Sequence, residues 1–437
     1  MADELPSNFA GYIEGWVASM NSKASEGGQD DPAYYSHNPR NVVTSSYLHS
    51  FQTGTGDDIF TDILPRVEHA ETEVLTLGLP SPEELSGLDL EIKSVFVRPF
   101  SVMHPKFVCV DRKMVWLPSC NVSWETWFEG CLALSGPAVE HFVDFWYRFW
   151  GSHERKLALQ AVVPDAYDSA VDLLRLLRAH SSLPESFSSL TSAAGQAVPS
   201  VFLPSLHHVN PRFRPFPWQA APPPPPTPLN TFILHSLETA KYSIYIQTPN
   251  LTCAPVLTAI LAALRRGVDV HIVTSERLMR LEQLGTAGTT TSRCMKKLIK
   301  RYKKLPFITH IPIANVRDEH PQRGRLHIEY YRPRKGASDG EPVQSHLKLT
   351  IIDEECVVLG SGNMDRASWY TSQELGVAFY STELAAEINT VITNSLKDRL
   401  KLVFPEAQHS RSFFFMLSES FRRSYRSLGG GDTPSIV

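Results

Sequence analysis

No two of the six cysteines form a Cys-x-x-Cys pair, and no cysteine or histidine spacing matches a zinc site. Cys109, Cys120, Cys131, Cys253, Cys294 and Cys356 therefore read as free thiols in a reducing compartment. No apolar stretch approaches the roughly 20 residues that span a bilayer. The first thirty residues carry Asp3, Glu4, Glu14 and Glu26 and no long apolar run, which argues against a secretory signal or a mitochondrial presequence. The expected location is intracellular, soluble or peripheral to a membrane. A strong charge of either sign is also missing. A formal net charge of −4 over 437 residues gives no bulk pull toward nucleic acid or anionic lipid, so any such attraction must be local. The length allows one large or two ordinary domains.

What the sequence does hold is a polar motif that occurs twice. His104-Pro-Lys106 is followed after four residues by Asp111, and His346-Leu-Lys348 after four residues by Asp353. Ser119 and Asn121 lie 15 and 17 residues after His104; Ser361 and Asn363 lie 15 and 17 after His346. Chance and general core packing are both poor explanations for identical offsets in two separated places. The repeat starts further upstream: Asp57–Ala70 and Asn230–Ala240 read as helices, and Glu73–Leu79 and Tyr242–Gln247 as the strands after them. It also continues downstream, through strands Met114–Leu117 and Cys356–Leu359, to Trp124 and Glu129 in one copy and Trp369 and Glu374 in the other. A three-residue insertion accounts for the difference. Helices Ala138–Trp150 and Glu383–Lys401 follow, and Ala166–His180 is a further amphipathic helix.

Between strand and motif the halves differ. Asn250 to His346 is 96 positions, with a helix at Pro255–Gly267, a strand at Val268–Ser275, a basic helix at Arg293–Leu305 and a strand at Leu326–Tyr331. A helix between two strands marks a parallel crossover. Pro80 to His104 is only 24 positions, with one strand at Ser94–Pro99. The first lobe is therefore expected to be short of a helix and at least one strand, as a minimal lobe or as the product of a shortened gene model or splice form. The organisation reads as a polar arm over 1–45 with a short helix near Phe9–Met20, a first lobe over 46–194, and a Pro-rich linker over 195–229. A second lobe over 230–405 and an aromatic and basic tail over 406–437 complete it.

Residues two apart on a strand share a face. His104 and Lys106 project together, as do His346 and Lys348, Ser119 and Asn121, and Ser361 and Asn363. If the repeats pack around a pseudo-twofold axis, two imidazoles, two ammonium groups, two hydroxyls and two amides meet in one pocket. That set suits a phosphodiester. Lysine, serine and asparagine bind the non-bridging oxygens and the charge of a five-coordinate transition state. One imidazole attacks phosphorus, and the other protonates the leaving oxygen and then deprotonates an acceptor. The chemistry needs no metal or other cofactor, and no carboxylate cluster suggests a metal site. Asp111 and Asp353 are grouped with the catalytic residues, although their strand-end positions also suit a turn. Glu129 and Glu374 are candidates to orient the histidines from behind, with an ordinary surface carboxylate as the alternative.

The paired His-x-Lys-x4-Asp motif with its Ser-x-Asn resembles the phospholipase D superfamily. Gln247-Thr-Pro-Asn250 and the Arg265-Arg-Gly267 turn make the second half resemble the bacterial-type cardiolipin synthases. The resemblance, over about residues 46–405, implies an α/β fold of two pseudo-twofold-related lobes. Each lobe would be a mixed β-sheet flanked by helices, with the active site between them. It implies a metal-independent reaction through phosphohistidine, with His104 as nucleophile and His346 as general acid. Cys120, where the other copy has Gly362, departs from the pattern. The expected substrate is a glycerophospholipid, with water or an alcohol as acceptor and peripheral membrane contact. A nuclease of the same superfamily, using the basic helix at Arg293–Leu305, is the nearest alternative. A catalytically weak lipid-binding protein is the third.

Overall fold

A computed structural model of the chain describes residues 7–27, 43–55, 96–97, 101–121, 125–149, 187–189, 197–206, 223–306, 323–336 and 340–405. The chain falls into two units, Met1–Phe404 and Pro405–Val437, and the fold described below is that of the first. The expected elements over 57–70, 73–79 and 166–180, and the tail over 406–437, lie outside the described residues. So does nearly all of the stretch on which the shortening of the first lobe was expected.

The N-terminal half contains helix α1 (Ser7–Gly27) and strands β1 (Val43–Gly54), β2 (Phe96–Val97), β3 (Ser101–Val102), β4 (Val108–Val110), β5 (Met114–Pro118) and β6 (Trp127–Ser135). Helix α2 (Ala138–Phe149) and strands β7 (Phe187–Ser189) and β8 (Val198–Ser205) follow. The C-terminal half begins with α3 (Pro228–Thr239), β9 (Ser243–Thr248), α4 (Ala254–Arg266), β10 (Asp269–Thr274), α5 (Arg280–Ala287) and α6 (Thr291–Tyr302). It continues with β11 (Leu326–Tyr331), β12 (Gln344–Ser345), β13 (Leu349–Ile352), β14 (Cys356–Gly360), α7 (Arg366–Tyr370), β15 (Glu374–Tyr380), α8 (Thr382–Ser395) and β16 (Leu400–Phe404).

One mixed sheet runs in the order β16-β11-β10-β9-β13-β14-β15-β8-β1-β6-β5-β4. Its middle is nearly palindromic. The antiparallel trio β13-β14-β15 on one side is matched by β4-β5-β6 on the other, and β8 and β1 pair antiparallel between them, from Val43 with Val201 to Ser46 with Val198. The sequence repeat is thus a repeat in the sheet, and the fold is α/β as expected. Beyond β13 the C-terminal half adds β9, β10 and β11, joined in parallel. Helix α4 makes the first crossover. Its Val256, Ile260 and Leu264 fall on one buried stripe, and Gly267 ends it at φ 100, a conformation that costs glycine little. Among the described residues, β4 ends the sheet on the other side.

Three expectations need correction. The first is the polar arm: Phe9, Ile13 and Trp16, spaced along one face of α1, are buried in the core. Trp16 Nε1 donates to Thr231 Oγ1 at 3.2 Å and its ring meets Phe232 edge-on at 5.3 Å, so α1 docks on α3. The second is the linker, because residues 198–205 form a central strand of the sheet. Val198, Val201, Phe202 and Leu203 are buried there, with Pro199 and Pro204 in the same strand. Among the described residues, 223–226 lead into α3; Pro225 O accepts from Asn230 Nδ2, and Thr227 caps the helix. The third is the helix over Glu383–Lys401, which stops at Ser395. Asp398 turns the chain at φ 63, and Leu400–Phe404 pairs antiparallel with β11.

Candidate active site

The two motif hairpins have the same local design. Strands β4 and β13 end in Asp111-Arg112 and Asp353-Glu354, with φ of 52 and 56, and of 52 and 58. Lys113 N donates to Val110 O at 3.0 Å, and Glu355 N to Ile352 O at 3.0 Å, closing two tight turns with both central residues left-handed. This overturns the catalytic role expected of the two aspartates. Asp111 stands exposed at a turn. Asp353 accepts from the backbone N–H groups of Lys241, Tyr242 and Ser243 at 2.8, 2.7 and 2.9 Å and so fixes the entry to β9. A strand rising about 3.3 Å per residue puts it roughly 16 Å from Lys348.

The histidines sit at the opposite ends of these strands, where each half reaches into the other. Met103 bridges Gln373 in parallel, and His104 N donates to Gln373 O at 2.9 Å. Ser345 pairs Phe128 in parallel, and His346 N donates to Phe128 O at 2.8 Å. The next residue along each partner strand is a glutamate, so the carboxylates are exchanged. His104 Nδ1 lies 3.0 Å from Glu374 Oε2, and His346 Nδ1 lies 2.6 Å from Glu129 Oε1. Both glutamates are buried, so neither is a surface carboxylate. His104 keeps 27% of its side chain exposed, whereas His346 keeps 3%.

Ser119 and Ser361 do not point at a substrate phosphate, as the sequence suggested. Ser119 donates to Glu129 and accepts from Gly130 N; Ser361 donates to Glu374 and accepts from Leu375 N. Each serine therefore steers a carboxylate that steers a histidine. The lysines stay beside their own histidines. Lys106 Nζ donates to His104 O at 3.0 Å, and Lys348 Nζ lies 2.8 and 3.0 Å from the two ring nitrogens of His346 and 3.1 Å from Ser119 O. Asn363 donates through Nδ2 to Asp365 at 3.1 Å, and Asn121 is half-buried at the end of its described segment.

Burial dominates the electrostatics. Burial, reinforced by the neighbouring Lys348, pulls Lys106 down to about 7, and burial pulls Lys348 down to about 8. His346 falls to about 4 for the same two reasons, burial first and the Lys348 charge second. Burial alone would raise both glutamates. For Glu374 the charge and hydrogen bond of His104 outweigh it and leave the group at about 2; for Glu129 His346 and Lys348 also win, and its shift is downward. The site thus favours ionised carboxylates behind the rings and a neutral His346.

Cys120, expected to disturb the first motif, is packed with Met114, Trp116, Cys131 and Ala133. Burial and the nearby Glu129 push its thiol up to about 12, so it stays protonated. At the equivalent Gly362 a Cβ would come within 3.2 Å of the Leu229 side chain, a tight contact. Sequence reasoning missed two features. Trp127 lies against His346 with ring centres 4.7 Å apart. Asp365, which caps α7 through Ser368 N, links Asn363 to Asn250 at 3.5 Å, and Asn250 in turn accepts from Gln283 of α5 at 2.6 Å. The helix-capping pattern Asp365-x-x-Ser368 was the available signal for the second.

Residues 233–396 match the family model described as the phospholipase D-like domain of cardiolipin synthase. No curated protein matches the sequence. Among solved structures, the phosphatidylserine synthase of Haemophilus influenzae Rd KW20 is 15% identical, over 75% of this chain and 71% of that one, with a TM-score of 0.43. Nuc, a phospholipase D family member from Salmonella typhimurium, is 21% identical over 40% and 91%, with a TM-score of 0.28. NucT from Helicobacter pylori is 16% identical over 39% and 89%, with a TM-score of 0.26. No described helix is long and apolar enough to cross a membrane.

Proposed function

We propose that the chain is a phospholipase D-like enzyme, a reading supported by the family match over residues 233–396, and that it hydrolyses or transfers the phosphatidyl group of a glycerophospholipid through a phosphohistidine. The observation that carries this reading is the exchanged pairing of His104 with Glu374 and His346 with Glu129, with Lys348 beside the His346 ring and Lys106 on the His104 carbonyl. A carboxylate on Nδ1 fixes the tautomer and leaves Nε2 for the chemistry, with Lys348 Nζ 3.0 Å from Nε2 of His346.

His104 is the nucleophile in this reading, because its ring is the more exposed. Its Nε2 attacks phosphorus and forms an N–P bond while the bond to the leaving oxygen breaks. His346 Nε2 gives that oxygen a proton. A water or alcohol then attacks phosphorus, passes its proton to His346, and the N–P bond breaks to restore His104. Burial and Lys348 favour the neutral form of His346. The arriving phosphodiester anion offsets the lysine charge and favours the imidazolium needed for the first step. Lys106 and Lys348 stabilise the charge that gathers on the non-bridging oxygens.

The surface beside the site favours lipid over nucleic acid. Helix α5, tied to Asn363 through Gln283, Asn250 and Asp365, exposes Met279, Leu281 and Leu284, with Leu281 86% exposed. Exposed Arg277 and Arg280 flank them. Exposed Glu282 lies between the two leucines, yet an apolar wedge flanked by two arginines suits a bilayer interface better than a phosphate backbone. The exposed Lys296, Lys297 and Lys300 of α6 support the nuclease alternative. The completeness of the His, Lys and Glu set speaks against a merely lipid-binding protein.

The test is to incubate the full chain with phosphatidylglycerol or phosphatidylcholine vesicles and an added short alcohol, and separately with single-stranded DNA. Headgroup release or exchange, lost in His104→Ala and His346→Ala, is expected. DNA cleavage without lipid turnover would transfer the reading to a nuclease, and binding without turnover would sink both enzymes.

A further inference from the structure

On the second half's sheet, away from the paired motifs, three metal-ligating side chains meet across two neighbouring strands. His271 on β10 and His327 on β11 are direct register partners, and Glu329 follows two residues later on the same face of β11. His271 Nε2 lies 2.8 Å and His327 Nε2 3.4 Å from the same oxygen, Glu329 Oε2. One ligand atom from each residue falls within a set no wider than 4.8 Å. The imidazoles pack edge-to-face at 4.8 Å, and Tyr245 of β9 closes the other side of His271 at 5.2 Å.

We infer that His271, His327 and Glu329 form a divalent-cation site, suited to Zn2+. Nitrogen from two imidazoles and oxygen from one carboxylate is an established zinc donor set, with bonds of about 2.0–2.2 Å. Tetrahedral bonds of that length place neighbouring donor atoms roughly 3.3 Å apart. The two histidine–carboxylate separations, 2.8 and 3.4 Å, lie either side of that spacing, and all three donor atoms lie within 4.8 Å of one another. An ordinary ion pair would use one histidine; here two converge on one carboxylate oxygen. Charging both rings with protons would set like charges side by side, whereas one shared cation satisfies both. His271 is buried, while His327 and Glu329 keep 27% and 15% of their side chains exposed. The fourth position therefore opens to solvent, and water completes the shell. The ion joins β10 to β11 at the middle of their pairing, so its role is to fasten two strands whose connection in the chain is long.

The sequence hid this site. His327-x-Glu329 comes from one strand and His271 from another, 56 residues earlier, which is no zinc spacing.

The experiment uses the full chain, stripped with chelator, desalted and titrated with Zn2+, and separately with Co2+ to read ligand-field absorption. One equivalent should bind, and Zn2+ should raise the unfolding temperature. His327→Ala and Glu329→Gln, both at partly exposed positions, should each weaken binding at least about 100-fold and abolish the thermal shift. His104→Ala should keep both, which separates this site from the catalytic histidines. Absence of binding in the wild-type chain, or binding unchanged in both ligand variants, would overturn the inference. Should a ligand variant fail to fold, diethyl pyrocarbonate labelling of the wild-type chain decides. Zn2+ should protect His327, and unchanged labelling would count against the site.

Discussion

The imidazole of His104 is held by Glu374, a residue 270 positions further along the chain and in the other repeat. His346 and Glu129 are joined in the opposite direction across 217 positions. Neither repeat therefore contains its own complete histidine–carboxylate pair. Glu374→Gln should lower turnover by about 10²–10⁴-fold, the range for misplacing an acid–base group. His104 would lose the carboxylate that orients it and stabilises its charge. Glu129→Gln should act likewise through His346. The distinguishing measurement is single-turnover trapping of the phosphoenzyme. Glu374→Gln should slow its formation, while vesicle binding stays at the wild-type level.

The two lysines predict an alkaline limit. Lys106, drawn down to about 7 by burial and by Lys348, is mostly charged only below that pH. As pH rises through about 7–8, first Lys106 and then Lys348 lose the proton with which they hold a phosphate. kcat/KM, which reports the free enzyme, should therefore fall on the alkaline side. Lys106→Arg should be slower but should lose the lower step of that fall, because a guanidinium remains charged throughout. A pH profile unchanged in Lys106→Arg would refute the assignment.

Much of this was legible because strand periodicity and repeat register are local. His346 with Lys348, the hairpins, the α4 crossover and the α/β class all follow from patterns a few residues long. The exchange of glutamates was not legible, since it depends on which strand lies beside Met103 and Ser345. The serines misled for a related reason. Alternation put Ser119 and Ser361 near the histidines, but a buried hydroxyl next to a buried carboxylate bonds to it first. Trp16 was lost in a polar stretch because three apolar residues on one helical face are enough to dock it.

Asp353 provides a direct check on the corrected role. Its carboxylate gathers three backbone N–H groups ahead of β9. Asp353→Ala should lower stability by about 1–3 kcal/mol, the cost of leaving donors unsatisfied. Turnover per folded molecule should stay near the wild-type value. Denaturant unfolding paired with active-site titration separates the two. A large loss of turnover at full stability would return Asp353 to the chemistry.

Trp16 checks whether the N-terminal helix belongs to the fold. Its indole is fully buried and bonded to Thr231. Trp16→Ala should cost about 3–5 kcal/mol, as for other large core aromatics. The matching thermal shift should appear in a single cooperative transition. A change below about 0.5 kcal/mol would mean that α1 is not docked in solution.

Leu281 tests how the protein meets its substrate. It is the most exposed of the apolar side chains on α5, and α5 is linked to Asn363 by consecutive buried hydrogen bonds. Burying one leucine in a bilayer is worth about 1.5–3 kcal/mol. Leu281→Glu should therefore weaken vesicle binding by roughly 10–100-fold, since 1.4 kcal/mol is a factor of ten. Turnover of a short-chain, monomeric phospholipid should be unchanged, because the side chain does not touch the histidines. Co-sedimentation with vesicles and a monomeric-substrate assay read the two effects separately. Equal losses in both would mean that α5 acts on the site through Gln283 and not on the membrane.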